Sequence, residues 1–146
     1  MSLPHQIVWG SLYLGICFVV EIMLLVWCTL ILRSFGKRYG QHSTSVQAGG
    51  LISIALFFIV LAHTIQVWVW AVAWMMDGTL ADWNTSLYFS LVTYTTLGYG
   101  DIVLEPDLRI FAAFSAVAGL LAFGLSTAYL VSLMSTIFDK QLRPDD

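Results

Sequence analysis

Charged residues are scarce in this sequence. Only 10% of its 146 residues are Asp, Glu, Lys or Arg, whereas 59% are hydrophobic, and the mean hydropathy is +0.84. Soluble domains carry about a quarter charged residues, so this chain has too little charge to cover a water-facing surface. The shortage excludes an ordinary soluble domain and predicts that lipid is the main solvent.

Basic residues and cysteines are also few. Six Lys and Arg against nine Asp and Glu give a net charge of −3, whereas nucleic-acid binding needs a clustered basic face. Cys17 and Cys28 lie inside an apolar run and offer neither a CxxC spacing nor a disulfide framework. We therefore expect no nucleic-acid partner. Because no nucleotide loop, metal cluster or catalytic triad is visible, we also expect neither an enzyme nor a soluble substrate.

Long apolar runs are what the sequence does contain. They cover residues 7–32, 51–76 and 110–138, and each exceeds the roughly 20 residues that a helix needs to cross a bilayer. The first run lacks a basic leader and an A-x-A site, so we expect a membrane helix there and not a cleavable signal. Glu21 and His63 interrupt the first two runs with titratable side chains.

The positions of the basic residues predict an orientation. Five of the six lie in the first connection or near the C-terminus, namely Arg33, Lys37, Arg38, Lys140 and Arg143. Three spans place these two segments on one side, which the positive-inside rule makes cytoplasmic. We therefore expect a multi-pass protein of the cell membrane, with the N-terminus outside and the C-terminus cytoplasmic. Membrane lipid is then a partner, and the first basic group is one place where anionic lipid could bind.

Residues 83–95 form an amphiphilic stretch that is too short to span, at about 20 Å as a helix. Asp82 is a natural N-cap for a helix that begins at Trp83. Further on, Gly98 and Gly100 flank Tyr99, and glycines allow alternate residues to take left-handed dihedrals. Successive carbonyls can then point to one side, as a column of oxygen ligands for a dehydrated cation. Irregular backbone at membrane depth is tolerated where it is buried in protein or lines a water-filled cavity.

The stretch from Thr95 to Asp101, TTLGYGD, resembles the selectivity filter of the potassium channel pore-loop family, which is built from four TVGYG loops. The resemblance covers about residues 51–138. It implies an outer helix at 51–76, a pore helix at 83–95, a filter at 96–101 and an inner helix at 109–138. Residues 1–50 then add an extra N-terminal transmembrane helix and a basic cytoplasmic loop, and residues 139–146 form a short cytoplasmic tail.

The fold implied is an all-α membrane protein with three transmembrane helices, a re-entrant pore helix and a filter loop. One chain supplies one row of carbonyls and cannot surround an ion. The resemblance therefore implies a four-fold homotetramer in which the chain is its own partner. It implies no cofactor apart from K⁺ ions in the filter.

The resemblance also assigns roles to single residues. The K⁺ ligands would be the backbone carbonyls of four residues together with the Thr96 hydroxyl: Thr96, Leu97, Gly98 and Tyr99. The filter would be supported by Tyr88, Thr93, Gly100 and Asp101. In this scheme Asp101 accepts a hydrogen bond from Tyr88, and Thr93 reaches the Tyr99 hydroxyl.

The inner helix carries two gating candidates. Gly119 resembles a gating hinge of bacterial two-span channels, but close helix packing is the alternative, and packing is the favoured role of Gly124. Phe123 recurs at helical spacing with Leu130 and Met134, which fits either a hydrophobic constriction or ordinary packing. Three tryptophans near the expected interfaces are typical of aromatic-belt anchors: Trp9, Trp74 and Trp83.

Several functions stay open. A potassium-selective channel that conducts passively leads, and a weakly selective cation channel or a non-conducting assembly or accessory subunit are the alternatives. Glu21 and His63 are a candidate intramembrane polar pair, because antiparallel neighbours would place both near the bilayer midplane. Otherwise Glu21 bonds a hydroxyl or Gln66 while His63 is satisfied separately. A transporter or intramembrane enzyme built on this pair is a third class, and the sequence does not reveal the gating stimulus.

Overall fold

The computed structural model describes residues 2–38 and 45–142. Within these ranges the chain forms four helices and no strand: α1 (Leu3–Arg38), α2 (Ser45–Met76), α3 (Trp83–Tyr94) and α4 (Arg109–Leu142). The segments Leu3–Phe35, Val46–Met76 and Arg109–Asp139 are long and apolar enough to cross a membrane. The all-α fold with three spans, and with a short helix before the last one, is confirmed.

The long helices extend past the apolar runs that predicted them. Helix α1 continues to Arg38 and α2 begins at Ser45, so the boundary expected at residue 50 falls inside α2. Arginine and lysine are good helix formers, so a helix does not have to end where its apolar residues end. The side chains of Lys37, Arg38 and Lys140, and the whole of Arg143, lie outside the described residues. The orientation drawn from them stays a prediction.

Helix α3 begins where the capping residue predicts. The Asp82 carboxylate accepts hydrogen bonds from the Thr85 amide at 2.9 Å and from the Thr85 hydroxyl at 2.7 Å. These bonds satisfy a free amide of the first turn and hold the pKa of Asp82 below its ordinary value. The predicted N-cap is confirmed. The helix ends at Tyr94, one residue before the expected end, with Thr95 as its C-cap.

An aromatic cluster fills the space between the helices. Trp74 lies 5.9 Å from Trp70, 5.3 Å from Phe89 and 5.1 Å from Phe111 between ring centroids. Trp74 is fully buried, so its assignment to an aromatic belt is wrong. The position of a residue along a span does not reveal which way it faces on its helix. Trp74 faces α3 and α4.

Helix α1 packs against both α2 and α4. The Gln6 side-chain oxygen accepts hydrogen bonds from the amides of Ile110 and Phe111, both at 3.2 Å, at the start of α4. A β-carbon at Gly10 would lie 2.3 Å from the ring of Phe114, so the two helices are in close contact there. The extra helix is therefore an integral part of one four-helix bundle.

Candidate functional site

The loop after α3 has an alternating backbone. Thr96, Gly98 and Gly100 have φ values of 60°, 55° and 78°, whereas the other non-glycine residues of this loop have negative φ. Alternate left-handed residues are what the two glycines predict. The positive φ at Thr96 was not predicted, although Thr96 lies two residues before Gly98 and so continues the alternation. A positive φ is a genuine outlier for a β-branched residue, and such strain concentrates at functional sites.

The amides of this loop face the end of α3. The Val92 carbonyl accepts hydrogen bonds from the amides of Leu97 at 3.0 Å and Gly98 at 3.2 Å, and the Thr96 amide donates to another α3 carbonyl. In the described part of the chain, no hydrogen bond reaches the carbonyl oxygens of residues 96–99. The loop therefore presents carbonyl oxygens that are available as ligands.

The side chains of the loop are not covered by their own chain. Leu97 is 55% exposed and Tyr99 is 68% exposed. Large exposed side chains next to unbonded carbonyls make a surface of the kind that marks an interaction site.

Asp101 is bonded to the helix that precedes the loop. The Tyr88 hydroxyl donates to Asp101 Oδ2 at 2.5 Å, and the Ile102 amide donates to Oδ1 at 3.1 Å. The bond from Tyr88 is the largest cause that holds the pKa of Asp101 below its ordinary value. The contact that the resemblance implied is thus present. Within the described residues, Thr93 makes no side-chain hydrogen bond to Tyr99.

A buried polar network lies behind the loop. Tyr94, the last residue of α3, has its hydroxyl 2.8 Å from His63 Nδ1 and donates to Gln66 Oε1 at 3.1 Å. Gln66 Nε2 donates to Glu21 Oε2 at 2.7 Å, and the Ser126 hydroxyl donates to Glu21 Oε1 at 2.5 Å. The network joins all four helices, and Glu21 and Gln66 are fully buried.

The proposed direct pair of Glu21 and His63 is wrong for this structure. Both carboxylate oxygens of Glu21 have other partners, and His63 is linked to it only through Tyr94 and Gln66. The alternative, in which Glu21 bonds Gln66 and a hydroxyl, is the arrangement found. The sequence alone did not reveal Tyr94 and Ser126 as members of this hydrogen-bond network. The three-residue spacing of His63 and Gln66, which places them on one helix face, was the signal available.

Gly119 and Phe123 of α4 face the same network. A β-carbon at Gly119 would lie 1.9 Å from the Tyr94 carbonyl oxygen, whereas one at Gly124 would meet nothing within 4 Å. Phe123 stacks on His63 with ring centroids 4.3 Å apart and is 42% exposed. Close packing is therefore observed at Gly119, and it is not observed at Gly124 within one chain.

The family model described as "Ion channel" matches residues 54–136, more than half of the chain. The matched region contains the loop, α3 and the parts of α2 and α4 that hold them. The chain belongs to this family of potassium channel pores.

The curated relatives that the chain resembles are also potassium channels. The A-type voltage-gated potassium channel KCND3 of Rattus norvegicus and that of Homo sapiens are each 30% identical over 118 residues, which is 73% of this chain and 18% of theirs. The TWiK family of potassium channels protein 18 of Caenorhabditis elegans is 44% identical over 62 residues, 42% of this chain and 12% of its own. The chain thus spans less than a fifth of the length of these relatives. No solved structure matches it significantly.

The family match divides the polar network. Gln66, Tyr94 and Ser126 lie inside residues 54–136, whereas Glu21 lies on α1, outside them. The carboxylate at the centre of the network therefore lies outside the segment that the family model matches. The family and the three apolar spans together make the protein a multi-pass membrane protein.

Proposed function

We propose that this protein is a potassium-selective channel that conducts K⁺ passively through a TLGYGD filter. The observation that carries the proposal is the alternating backbone at Thr96, Gly98 and Gly100 together with the unbonded carbonyls between them. A row of carbonyl oxygens can replace the hydration shell of K⁺.

The ion ligands in this proposal are the carbonyl oxygens of Thr96, Leu97, Gly98 and Tyr99, with the Thr96 hydroxyl. The carboxyl end of α3 supports cation binding, because a helix carries partial negative charge at that end. Asp101 and Tyr88 hold the filter from behind, and their bond at 2.5 Å supports this role. Gly100 continues the alternation, and the support role of Thr93 stays a prediction.

Four identical chains around one axis complete the pore in this proposal. The exposed Leu97 and Tyr99 side chains, and exposed apolar residues of α4 such as Leu120, provide surface for neighbouring copies. Gly119 and Phe123 stay the gating candidates. The close approach of Gly119 to Tyr94 supports a packing role for Gly119 in addition to the hinge role. The N-terminus is assigned to the outside and the C-terminus to the cytoplasm. Membrane lipid is a partner, and K⁺ is the ion that the filter binds.

The test is a reversal potential. The purified protein is reconstituted into a planar bilayer with K⁺ on one side and Na⁺ on the other, and its subunit number is measured by mass photometry. We expect tetramers whose current reverses close to the K⁺ equilibrium potential. A reversal near zero would favour the weakly selective cation channel. Tetramers that stay silent in every recording would favour the accessory subunit.

A further inference from the structure

We propose that Glu21 on the extra helix is a positioning residue for the filter. Through Gln66 and Tyr94 it fixes the last turn of the pore helix, so that α1 sets how long the filter stays conductive. The inference rests on the proposed channel function, because it concerns the lifetime of that conducting state.

The hydrogen bonds of the network all run towards Glu21. A tyrosine hydroxyl has one hydrogen, and Tyr94 gives it to Gln66 Oε1, so Tyr94 accepts the bond that it shares with His63. The Gln66 amide then presents its Nε2 to the carboxylate. With the Ser126 hydroxyl on the other oxygen, Glu21 accepts at both oxygens, which suits an anion. Charge-assisted bonds are the strong ones, and a chain of them polarises along its length.

The other end of this chain lies at the base of the filter. Tyr94 is 1% exposed and is the last residue of α3. Two residues earlier, the Val92 carbonyl holds the amides of both Leu97 and Gly98. The same helical turn therefore carries the Tyr94 side chain and the acceptor that orients the filter backbone. A shift of Tyr94 moves that acceptor.

Docking of α1 does not depend on Glu21 alone. Gln6 bonds the start of α4, Gly10 lies against Phe114, and the Thr29 hydroxyl lies 3.0 Å from the Tyr129 hydroxyl. Loss of the carboxylate therefore leaves the helix in place, and its effect on the filter can be measured separately. Tyr129→Phe is the matched control, since it removes a bond between α1 and α4 that does not reach α3.

The experiment compares single-channel conducting lifetimes in K⁺. Glu21→Gln keeps the shape but replaces a charge-assisted acceptor, and we expect tetramers whose conducting lifetime is shorter by about fivefold or more. The exchange Glu21→Gln with Gln66→Glu moves the carboxylate to α2: the bond between positions 21 and 66 reverses its direction, while the Tyr94 and Ser126 hydroxyls still donate to side-chain oxygens. We expect this exchange to restore the lifetime to within about twofold of wild type. Tyr129→Phe should match wild type.

Tyr94→Phe provides a second line, because it removes the bridging hydroxyl without touching α1. We expect the same shortening, and we expect the double variant Glu21→Gln with Tyr94→Phe to be no worse than Tyr94→Phe alone. If Glu21→Gln does not assemble, Tyr94→Phe decides alone, and a wild-type lifetime there overturns the proposal.

Additive effects, a wild-type lifetime in Glu21→Gln, no rescue by the exchange, or an equal effect of Tyr129→Phe would each overturn the role of Glu21. In all four cases the selective wild-type current would still stand. A silent or unselective wild-type protein would instead overturn the proposed function, and the role of Glu21 with it.

Discussion

Gly119 on α4 lies against the carbonyl of Tyr94, so that a β-carbon at position 119 would stand 1.9 Å from that oxygen and 2.8 Å from its carbon. Helix α4 therefore meets the end of α3 backbone to backbone. A glycine is needed here for close approach, since Gly119 does not have a positive φ. The end of α3 cannot stay where it is if position 119 carries a side chain.

Gly119→Ala should therefore displace the end of α3. We expect a loss of stability of about 1–3 kcal/mol from overpacking and a loss of selective current. Thermal unfolding in detergent and reversal potentials measure the two effects. Gly124→Ala is the matched control, because a β-carbon there meets nothing within 4 Å. If Gly119→Ala unfolds like wild type and only its open probability changes, the hinge interpretation is favoured over packing.

Gly98→Ala should abolish K⁺ selectivity while tetramers still form. The φ of Gly98 is 55°, and nothing of its own chain lies within 4 Å of the added carbon, so the penalty within one chain is that of a left-handed L-residue, roughly 1–2 kcal/mol. Gly78→Ala is the control: its φ is 67° with the same open space, but it lies in the turn after α2. Wild-type selectivity in Gly98→Ala, measured by reversal potential, would argue against the filter assignment.

Tyr88→Phe should shorten the conducting lifetime at neutral pH, because it removes the bond to Asp101. Asp101→Asn should do the same and leave ion affinity nearly unchanged, since the carboxylate accepts from Tyr88 and from the Ile102 amide and is not one of the proposed ion ligands. Lifetimes and K⁺ dependence of the current test this pair. If Tyr88→Phe keeps wild-type kinetics while Asp101→Asn changes them, the bond between Tyr88 and Asp101 does not control the conducting lifetime.

The same pair predicts a pH dependence. The pKa of Asp101 in the folded protein lies below its ordinary value of 3.8, so its bond stabilises the fold above that value and is lost as the pH falls through the folded pKa. The difference in lifetime between wild type and Tyr88→Phe should be constant from about pH 8 to pH 5 and shrink only below that range. A difference that disappears near neutral pH would point to another titrating group.

Gln6→Ala should loosen the start of α4. Its side-chain oxygen accepts from two backbone amides, and the side chain is 4% exposed. A buried amide left without a partner costs about 1–3 kcal/mol, so we expect a lower unfolding temperature with little change in selectivity. Val8→Ala, on an exposed face of α1, is the control. Equal unfolding temperatures for the two variants would contradict the capping role.

The sequence by itself determined the apolar spans, the start of α3 and the alternating backbone of the loop. Apolar runs long enough to cross a bilayer predict membrane helices in any arrangement, and Asp82 caps α3 through a bond to Thr85, only three residues away. Likewise, the alternation at Gly98 and Gly100 follows from local dihedral preferences. Such properties depend on neighbours along the chain, and they could be predicted for that reason.

Only the tertiary structure decided which side chains meet across helices. The sequence predicts a similar depth for Glu21 and His63, but the rotation of each helix brings Gln66 and Ser126 to Glu21 and links His63 to it only through Tyr94 and Gln66. Rotation also turned Trp74 inwards and pressed Gly119 against the end of α3. A helix that is apolar on all sides carries no sequence signal for the face that it buries. The packing of all four helices together fixes that face, and with it the partners of the buried carboxylate.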